Sequence, residues 1–209
     1  MPSIYHITHF ENLPTVARHG GLFSDLQCQA MGMCGRTIGY DHIKQRRMEH
    51  QVPKPPGGSL GDYVPFYFAP RSPMLFTIHH RNTIFQGGQE PVVHLVSSVE
   101  AVSARIPPLA WMFTDGHAVI DLSEYYVDIS DLDKVDWDIM TAKYWRDTLE
   151  DGDRVRRRQA EFLVYQFFPW ELISEIAVID SKIEAHVKQM LADVAYVPKI
   201  VVRRDWYYS

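Results

Sequence analysis

Cysteine, excess positive charge and long apolar runs are all scarce in this chain of 209 residues. The two cysteines, Cys28 and Cys34, lie six positions apart, and nothing around them indicates the disulfide framework of a secreted protein. No stretch approaches the roughly 20 apolar residues of a membrane-spanning helix, and the N-terminus lacks the basic start and apolar run of a signal peptide. We therefore expect a soluble, cytoplasmic protein without membrane contact.

The charge balance is slightly acidic, with 21 Lys and Arg against 26 Asp and Glu and a net charge of −5. No overall positive field therefore attracts the protein to nucleic acid, and any such contact must be local. Hydrophobic residues make up 46% and aromatic residues 12% of the chain, which favours a well-filled core or a site for flat ligands. The length fits one domain over residues 1–209, without internal repeat or linker.

Hydrophobic patterning predicts a mixed α+β domain. In the first strand, Tyr5 and Ile7 would share one face, and His6 and Thr8 the other. Two long segments, 24–61 and 105–158, carry little periodicity apart from a short helix at about 40–50, and long ordered loops in compact domains are usually functional. Strands are predicted over 3–9, 62–69, 91–96, 160–168, 175–179 and 199–203, and further helices after Asn12, from Ser72 and over 183–193.

Glu161 is the most informative single residue, because it opens a predicted apolar strand directly after a run rich in arginine at 154–158. A carboxylate at a strand start can be merely a solvated edge group. It can also be a catalytic group on a rigid strand, to which the basic segment delivers a polyanion. Position alone leaves both interpretations open.

Other candidate residues are equally ambiguous from their own sequence context. Arg46 and Arg47 form either an exposed basic face or a pair of guanidinium groups for phosphate or a base edge. The side chains of Tyr67 and Met74 either belong to the hydrophobic core or contact a planar ligand. The ten histidines match no metal-ligand spacing, so no metal is expected, and no nucleophile or phosphate-loop motif occurs.

Five blocks of residues, in order along the chain, resemble the DarT family of DNA ADP-ribosyltransferase toxins from bacterial DarTG toxin–antitoxin systems. Each block alone is weak, but five in register are specific. They are Tyr5–His9 followed by Asn12–Pro14 and Gly20–Leu22, then Ile43–Arg47, then Asp62–Phe68 with Arg71–Leu75, then Thr114–Ala118, and finally Arg157–Tyr165.

This resemblance implies an ADP-ribosyltransferase fold, with two packed β-sheets and NAD held in the cleft between them. It implies transfer of ADP-ribose from NAD to a thymidine base in single-stranded DNA, in a sequence-dependent way, with release of nicotinamide. It also implies a macrodomain antitoxin, DarG, as partner. Two alternatives stay open: an NAD-dependent ADP-ribosyltransferase acting on RNA or protein, and a non-catalytic module that binds single-stranded nucleic acid.

The resemblance also assigns roles to individual residues. Glu161 would stabilise positive charge that develops on the ribose, and Arg47 would stabilise the thymine once its N3 proton has left; an arginine is a poor general base. The loop from about 33 to 51 would fold over the cofactor. The implied NAD-binding residues are His6, Ile7, Thr8, Leu22, Tyr67 and Met74, and the implied DNA-binding residues are His117, Trp145, Arg154, Arg157 and Arg158.

Overall fold

The computed structural model describes residues 1–33, 35–82 and 85–209. Cys34, one of the two cysteines considered above, lies outside the described residues. The strands are β1 (Ser3–His9), β2 (Gly21–Phe23), β3 (Tyr63–Tyr67), β4 (Val92–Ser98), β5 (Trp111–Thr114), β6 (Tyr125–Tyr126), β7 (Glu161–Tyr165), β8 (Phe167–Pro169), β9 (Glu175–Val178) and β10 (Lys199–Val202).

The helices are short and lie between the strands. Ser72 caps the helix Pro73–His79 as predicted, because its side chain accepts a hydrogen bond from the Leu75 amide at 3.2 Å. The helices are α1 (Leu13–Arg18), α2 (Asp25–Ala30), α3 (Asp41–Glu49), α4 (Pro73–His79), α5 (Val99–Ser103), α6 (Trp137–Thr141), α7 (Arg154–Arg157) and α8 (Ser181–Met190). In the described part of the chain, no helix is long and apolar enough to cross a membrane.

Within the described residues, eight strands form one sheet in the order β10-β9-β4-β1-β3-β7-β5-β6, and β2 pairs with β8 in a second sheet. All neighbouring strands in both sheets are antiparallel except β9 and β10. Phe66 of the main sheet packs against Phe168 of the small sheet with ring centroids 4.5 Å apart. The expectation of two packed sheets is confirmed.

The predicted strand over 160–168 is divided between the two sheets. Gln166 separates β7 from β8 and has a positive φ of 59°, so the chain turns there from one sheet into the other. The approach of β2 to β8 requires Gly21, because a Cβ at that position would lie 2.1 Å from the Phe168 carbonyl oxygen.

The segment 105–158 contains more regular structure than its sequence predicts. It includes β5, β6, α6 and α7, of which β5 pairs directly with β7. Elements of two to five residues are too short for a period of 2.0 or 3.6 to be recognised in a sequence. Their place beside β7 means that this segment borders the start of that strand, where Glu161 lies.

Candidate active site

Three neighbouring strands bring the principal candidate residues together. Glu161 opens β7 opposite Tyr67 of β3, and Tyr67 in turn lies opposite Tyr5 of β1, next to His6. The His6 Nδ1 atom lies 2.8 Å from the Pro65 carbonyl oxygen, which can only accept, so Nδ1 carries the proton. Burial lowers the pKa of His6 below its usual value. The neutral ring therefore presents an unprotonated Nε2, which can accept a hydrogen bond from a ligand hydroxyl.

Arg47 and Glu161 form a buried ion pair across 114 residues of sequence. The Arg47 Nη1 donates to Glu161 Oε2 at 2.7 Å, and the two side chains are only 11% and 3% exposed. The second carboxylate oxygen, Oε1, accepts from the Ala118 amide at 3.0 Å. Two donors from different parts of the chain thus fix the orientation of the Glu161 carboxylate.

The guanidinium of Arg47 retains one buried donor for a ligand. Its Nη2 atom has no hydrogen-bond partner among the described residues. Burial alone would lower the pKa of Arg47, but the charge of Glu161 and their hydrogen bond outweigh it, and the pKa is raised. Arg47 therefore stays protonated and can only donate. A buried donor without a partner is costly, so Nη2 is available to donate to a substrate atom beside Glu161.

Tyr67 and Met74 lie together beside this pair. The Tyr67 hydroxyl lies 3.6 Å from the Met74 sulfur, and burial, followed by the charge of Glu161, raises the pKa of Tyr67 above its usual range. The phenol is therefore neutral. A Cβ at Gly39 would lie 3.2 Å from the Met74 methyl group, so the loop before α3 passes directly over this residue. That course agrees with a loop that covers the site.

Asn12 fastens this loop to β1, a role that its sequence context did not reveal. Its Nδ2 donates to Thr8 Oγ1 and to the Arg36 carbonyl oxygen, both at 3.0 Å, and its Oδ1 accepts from the Arg36 amide at 2.8 Å. The side chain makes no capping bond to α1, although its position before Leu13 and Pro14 suggested one. Asn12 therefore fixes the position of the Thr8 hydroxyl group.

The remaining two candidates for NAD binding are packing residues. Ile7 and Leu22 are both buried and belong to the main hydrophobic core. Their side chains support the strands β1 and β2 from which the site is built.

Comparison with known proteins agrees with this geometry. A family model described as "ssDNA thymidine ADP-ribosyltransferase, DarT" matches residues 5–208. The chain belongs to the DarT family. It is 45% identical over 208 residues to a DNA ADP-ribosyl transferase of Thermus sp. (strain 2.9), covering 98% of this chain and 95% of that protein. It is 34% identical over 207 residues to one from Escherichia coli O127:H6, covering 99% and 93%.

Solved structures of the DarT family superpose closely on this chain. Thermus sp. 2.9 DarT in complex with ADP-ribosylated ssDNA matches with a TM-score of 0.92 at 44% identity, covering 99% of this chain and 96% of that chain. The same protein in complex with NAD+ matches with a TM-score of 0.89 at 42% identity, covering 99% and 98%. A more distant relative from Thermosipho africanus, named a DNA ADP-ribosyl transferase–DNA ADP-ribosyl glycohydrolase fusion protein, is 25% identical over 90% of this chain and 45% of its own length.

His117 lies on the turn that also supplies the Ala118 amide to Glu161. Burial lowers the pKa of His117, and the charges of Glu161 and Arg47 act on it in opposite directions. Of the residues that the family resemblance assigned to DNA contact, His117 directly precedes the residue whose amide donates to Glu161.

The arginine run differs from its predicted role as a phosphate-binding surface. Arg158 is only 4% exposed, and its guanidinium donates to the Met140 and Arg71 carbonyl oxygens at 2.7 and 3.0 Å. Burial lowers its pKa to about 10. Arg157 forms an ion pair with Asp136 at 2.6 Å, and Arg154 donates to backbone carbonyl oxygens. These three arginine side chains therefore bind other segments of the protein itself.

Trp145 also differs from its predicted role as a base-stacking residue. Its side chain is buried, with 9% of the residue exposed, and meets Phe76 edge-on with ring centroids 5.6 Å apart. Its neighbour Tyr144 is 77% exposed, and the ammonium group of Lys143 lies 5.5 Å from the Tyr144 ring centroid. The sequence favoured Trp145 as the base-stacking residue, whereas the structure exposes the neighbouring Tyr144.

Proposed function

We propose that this protein transfers ADP-ribose from NAD to a thymidine base in single-stranded DNA and releases nicotinamide. The observation that carries the proposal is the buried Arg47–Glu161 pair with its unpartnered Arg47 Nη2, in a chain that belongs to the DarT family. The solved structures of Thermus sp. 2.9 DarT with NAD+ and with ADP-ribosylated ssDNA support both substrates.

NAD supplies the ADP-ribose group: the bond between its ribose C1′ and nicotinamide breaks, nicotinamide leaves, and C1′ bonds to the thymine N3 atom. Glu161 stabilises the positive charge that develops on a sugar when its glycosidic bond breaks, as carboxylates do in glycoside hydrolysis. Its carboxylate is pre-oriented by Arg47 and by the Ala118 amide. The Glu161 carboxylate therefore does not have to reorient during the reaction.

Arg47 acts on the DNA base as a cation and hydrogen-bond donor. Because its pKa is raised, it does not take up the thymine N3 proton. The N3 proton passes to solvent water, and Arg47 Nη2 stabilises the negative charge that the thymine then carries. One guanidinium thus orients the carboxylate through Nη1 and receives the attacking base through Nη2.

The NAD-binding side is formed by His6, Thr8, Tyr67 and Met74. His6 accepts a ribose hydroxyl through Nε2, and the neutral Tyr67 and the Met74 thioether provide an apolar wall for the nicotinamide ring. Thr8, held by Asn12, sets the distance between β1 and the covering loop.

The flanking nucleotides of the DNA follow an exposed surface formed by Lys143, Tyr144 and Arg146. Tyr144 offers a solvent-exposed ring for base stacking, and the two cations are available to phosphates. Arg154 shapes this segment by donating to the Tyr144 and Arg146 carbonyl oxygens at 2.9 and 3.0 Å. The run at 154–158 thus supports DNA binding indirectly.

The test is incubation of the protein with NAD and a thymidine-containing DNA oligonucleotide, followed by intact mass measurement. An oligonucleotide gaining one ADP-ribose with the wild type, and none with Glu161→Gln, is the expected result. An RNA oligonucleotide with uridine in place of thymidine is run in parallel. Modification of the RNA alone, or of the protein itself, would reassign the substrate, and DNA binding without nicotinamide release would indicate a non-catalytic module.

The Thermosipho africanus fusion protein suggests the partner of this enzyme, because its name joins a transferase to a DNA ADP-ribosyl glycohydrolase. We propose a DarG-type macrodomain antitoxin that removes the modification. Addition of such a glycohydrolase to the modified oligonucleotide would restore its original mass. The cytoplasmic location stays a prediction.

A further inference from the structure

Arg156 connects α7 to the turn formed by residues 115–124. Its guanidinium donates to both carboxylate oxygens of Asp115, at 3.2 and 3.3 Å, and to Ser123 Oγ at 3.1 Å. It also donates to both carboxylate oxygens of Asp153, at 2.7 and 2.8 Å. All five N–H bonds of this side chain therefore have an acceptor.

The same turn is bonded to the first residue of β7. The Thr114 hydroxyl donates to the Gly116 carbonyl oxygen at 2.6 Å and accepts from the Glu161 amide at 3.1 Å. The His117 amide donates to the Arg156 carbonyl oxygen at 3.0 Å. The next amide, that of Ala118, donates to Glu161 Oε1 at 3.0 Å. Arg156 thus restrains the turn that supplies one of the two donors to the catalytic carboxylate.

Gly116 is required for this arrangement by close approach. A Cβ at position 116 would lie 2.2 Å from Arg156 Nη1 and 2.9 Å from Ser123 Oγ. The guanidinium would have to leave its five acceptors to make room. A change at Gly116 therefore disrupts the Arg156 contacts without removing the arginine.

We propose that Arg156 is a positioning residue for catalysis, which acts on Glu161 through Asp115 and the Ala118 amide. This inference rests on the proposed function. The Arg47 contact fixes one carboxylate oxygen, and the clamped turn fixes the other, so both are needed to hold the carboxylate plane against the ribose. Small misplacements of a catalytic group are sufficient to lower a rate strongly.

Arg156→Gln and Gly116→Ala test the proposal, with Arg203→Gln as the matched control. Arg203 forms an ion pair with Glu175 at 3.2 Å at the opposite end of the main sheet. We expect kcat for ADP-ribose transfer to fall about 10- to 100-fold in both test variants, the loss typical of a misplaced catalytic group. Binding of carba-NAD+, measured by calorimetry, keeps its affinity and a stoichiometry of one site per chain. The control keeps the wild-type kcat.

Amide hydrogen exchange at Ala118 provides a readout that is independent of activity. We expect protection of this amide in the wild type and its loss in Arg156→Gln and Gly116→Ala, with the exchange of the β1 amides unchanged. Unchanged protection, unchanged kcat in both variants, or a reduced binding stoichiometry that accounts for the lost activity would each overturn the proposal. If the wild type transfers no ADP-ribose to DNA, the proposed function fails, and the exchange at Ala118 alone decides the role of Arg156.

Discussion

Replacement of Glu161 by alanine leaves a buried guanidinium without its counter-ion, which makes the stability of this variant a direct test of the site geometry. Arg47 would then have two buried nitrogen atoms without acceptors, Nη1 and Nη2, and the Ala118 amide would lose its partner. Breaking a buried pair by removing one member costs about 3–5 kcal/mol. We expect the lower end, about 3 kcal/mol, because α3 lies at the surface and its arginine can bend toward water.

Thermal unfolding measures this effect. In a chain of this length, each kcal/mol corresponds to a shift in Tm of about 2–4 °C, so the variant should melt about 6–12 °C below the wild type. The control is Glu175→Ala, which breaks the partly exposed pair with Arg203 and should cost at most about 1 kcal/mol.

The double variant Arg47→Met/Glu161→Leu distinguishes an uncompensated charge from simple loss of packing. It removes both charges and leaves only the Ala118 amide without an acceptor, at a cost of about 1–3 kcal/mol. We therefore expect the double variant to be more stable than Glu161→Ala. The single variants Arg47→Met and Glu161→Leu complete the cycle. A double variant that melts at the temperature given by adding their two effects would show that the charges are not coupled, and would refute the argument.

Three further predictions address the two substrates and the effect of pH. Arg47→Lys should lower the transfer rate about 100-fold or more in steady-state assays, because one ammonium cannot serve both the carboxylate and the base. Tyr144→Ala should weaken oligonucleotide binding by about 1–3 kcal/mol in fluorescence anisotropy at unchanged Tm, whereas Trp145→Ala should lower the Tm. Burial lowers the pKa of His94 from 6.5 to about 4, so the unfolded chain binds a proton before the folded protein does. Stability in urea should accordingly fall by about 3 kcal/mol between pH 6.5 and 4, and His94→Gln should flatten this slope.

The sequence predicted six of the eight described main-sheet strands, because β-branched and aromatic residues cluster there between clear turn signals, but it missed β5 and β6. It also singled out Arg47 and Glu161 as catalytic candidates, through their place in blocks that resemble the DarT family, and the structure brings these two side chains together. It did not predict the role of Asn12, since an asparagine before a helix looks the same whether it caps that helix or bonds to a loop at Arg36. Nor did it reveal Arg156, whose function depends on which acceptors the fold places around it.

The run at 154–158 shows why charge composition misleads about a binding surface. Attraction of phosphates requires cations that are not already paired with carboxylates. In this run, however, Arg157 is paired with Asp136, and Arg156 is paired with Asp153. The order of the chain already held part of this information, because Asp147, Asp151 and Asp153 directly precede the arginines. These ion pairs also cancel the negative charge of the aspartates, which would otherwise repel the phosphates of an approaching DNA strand. In a protein with net charge −5, we therefore expect the arginines to favour DNA binding by neutralising residues 136–158, while Lys143 and Arg146 attract the polyanion.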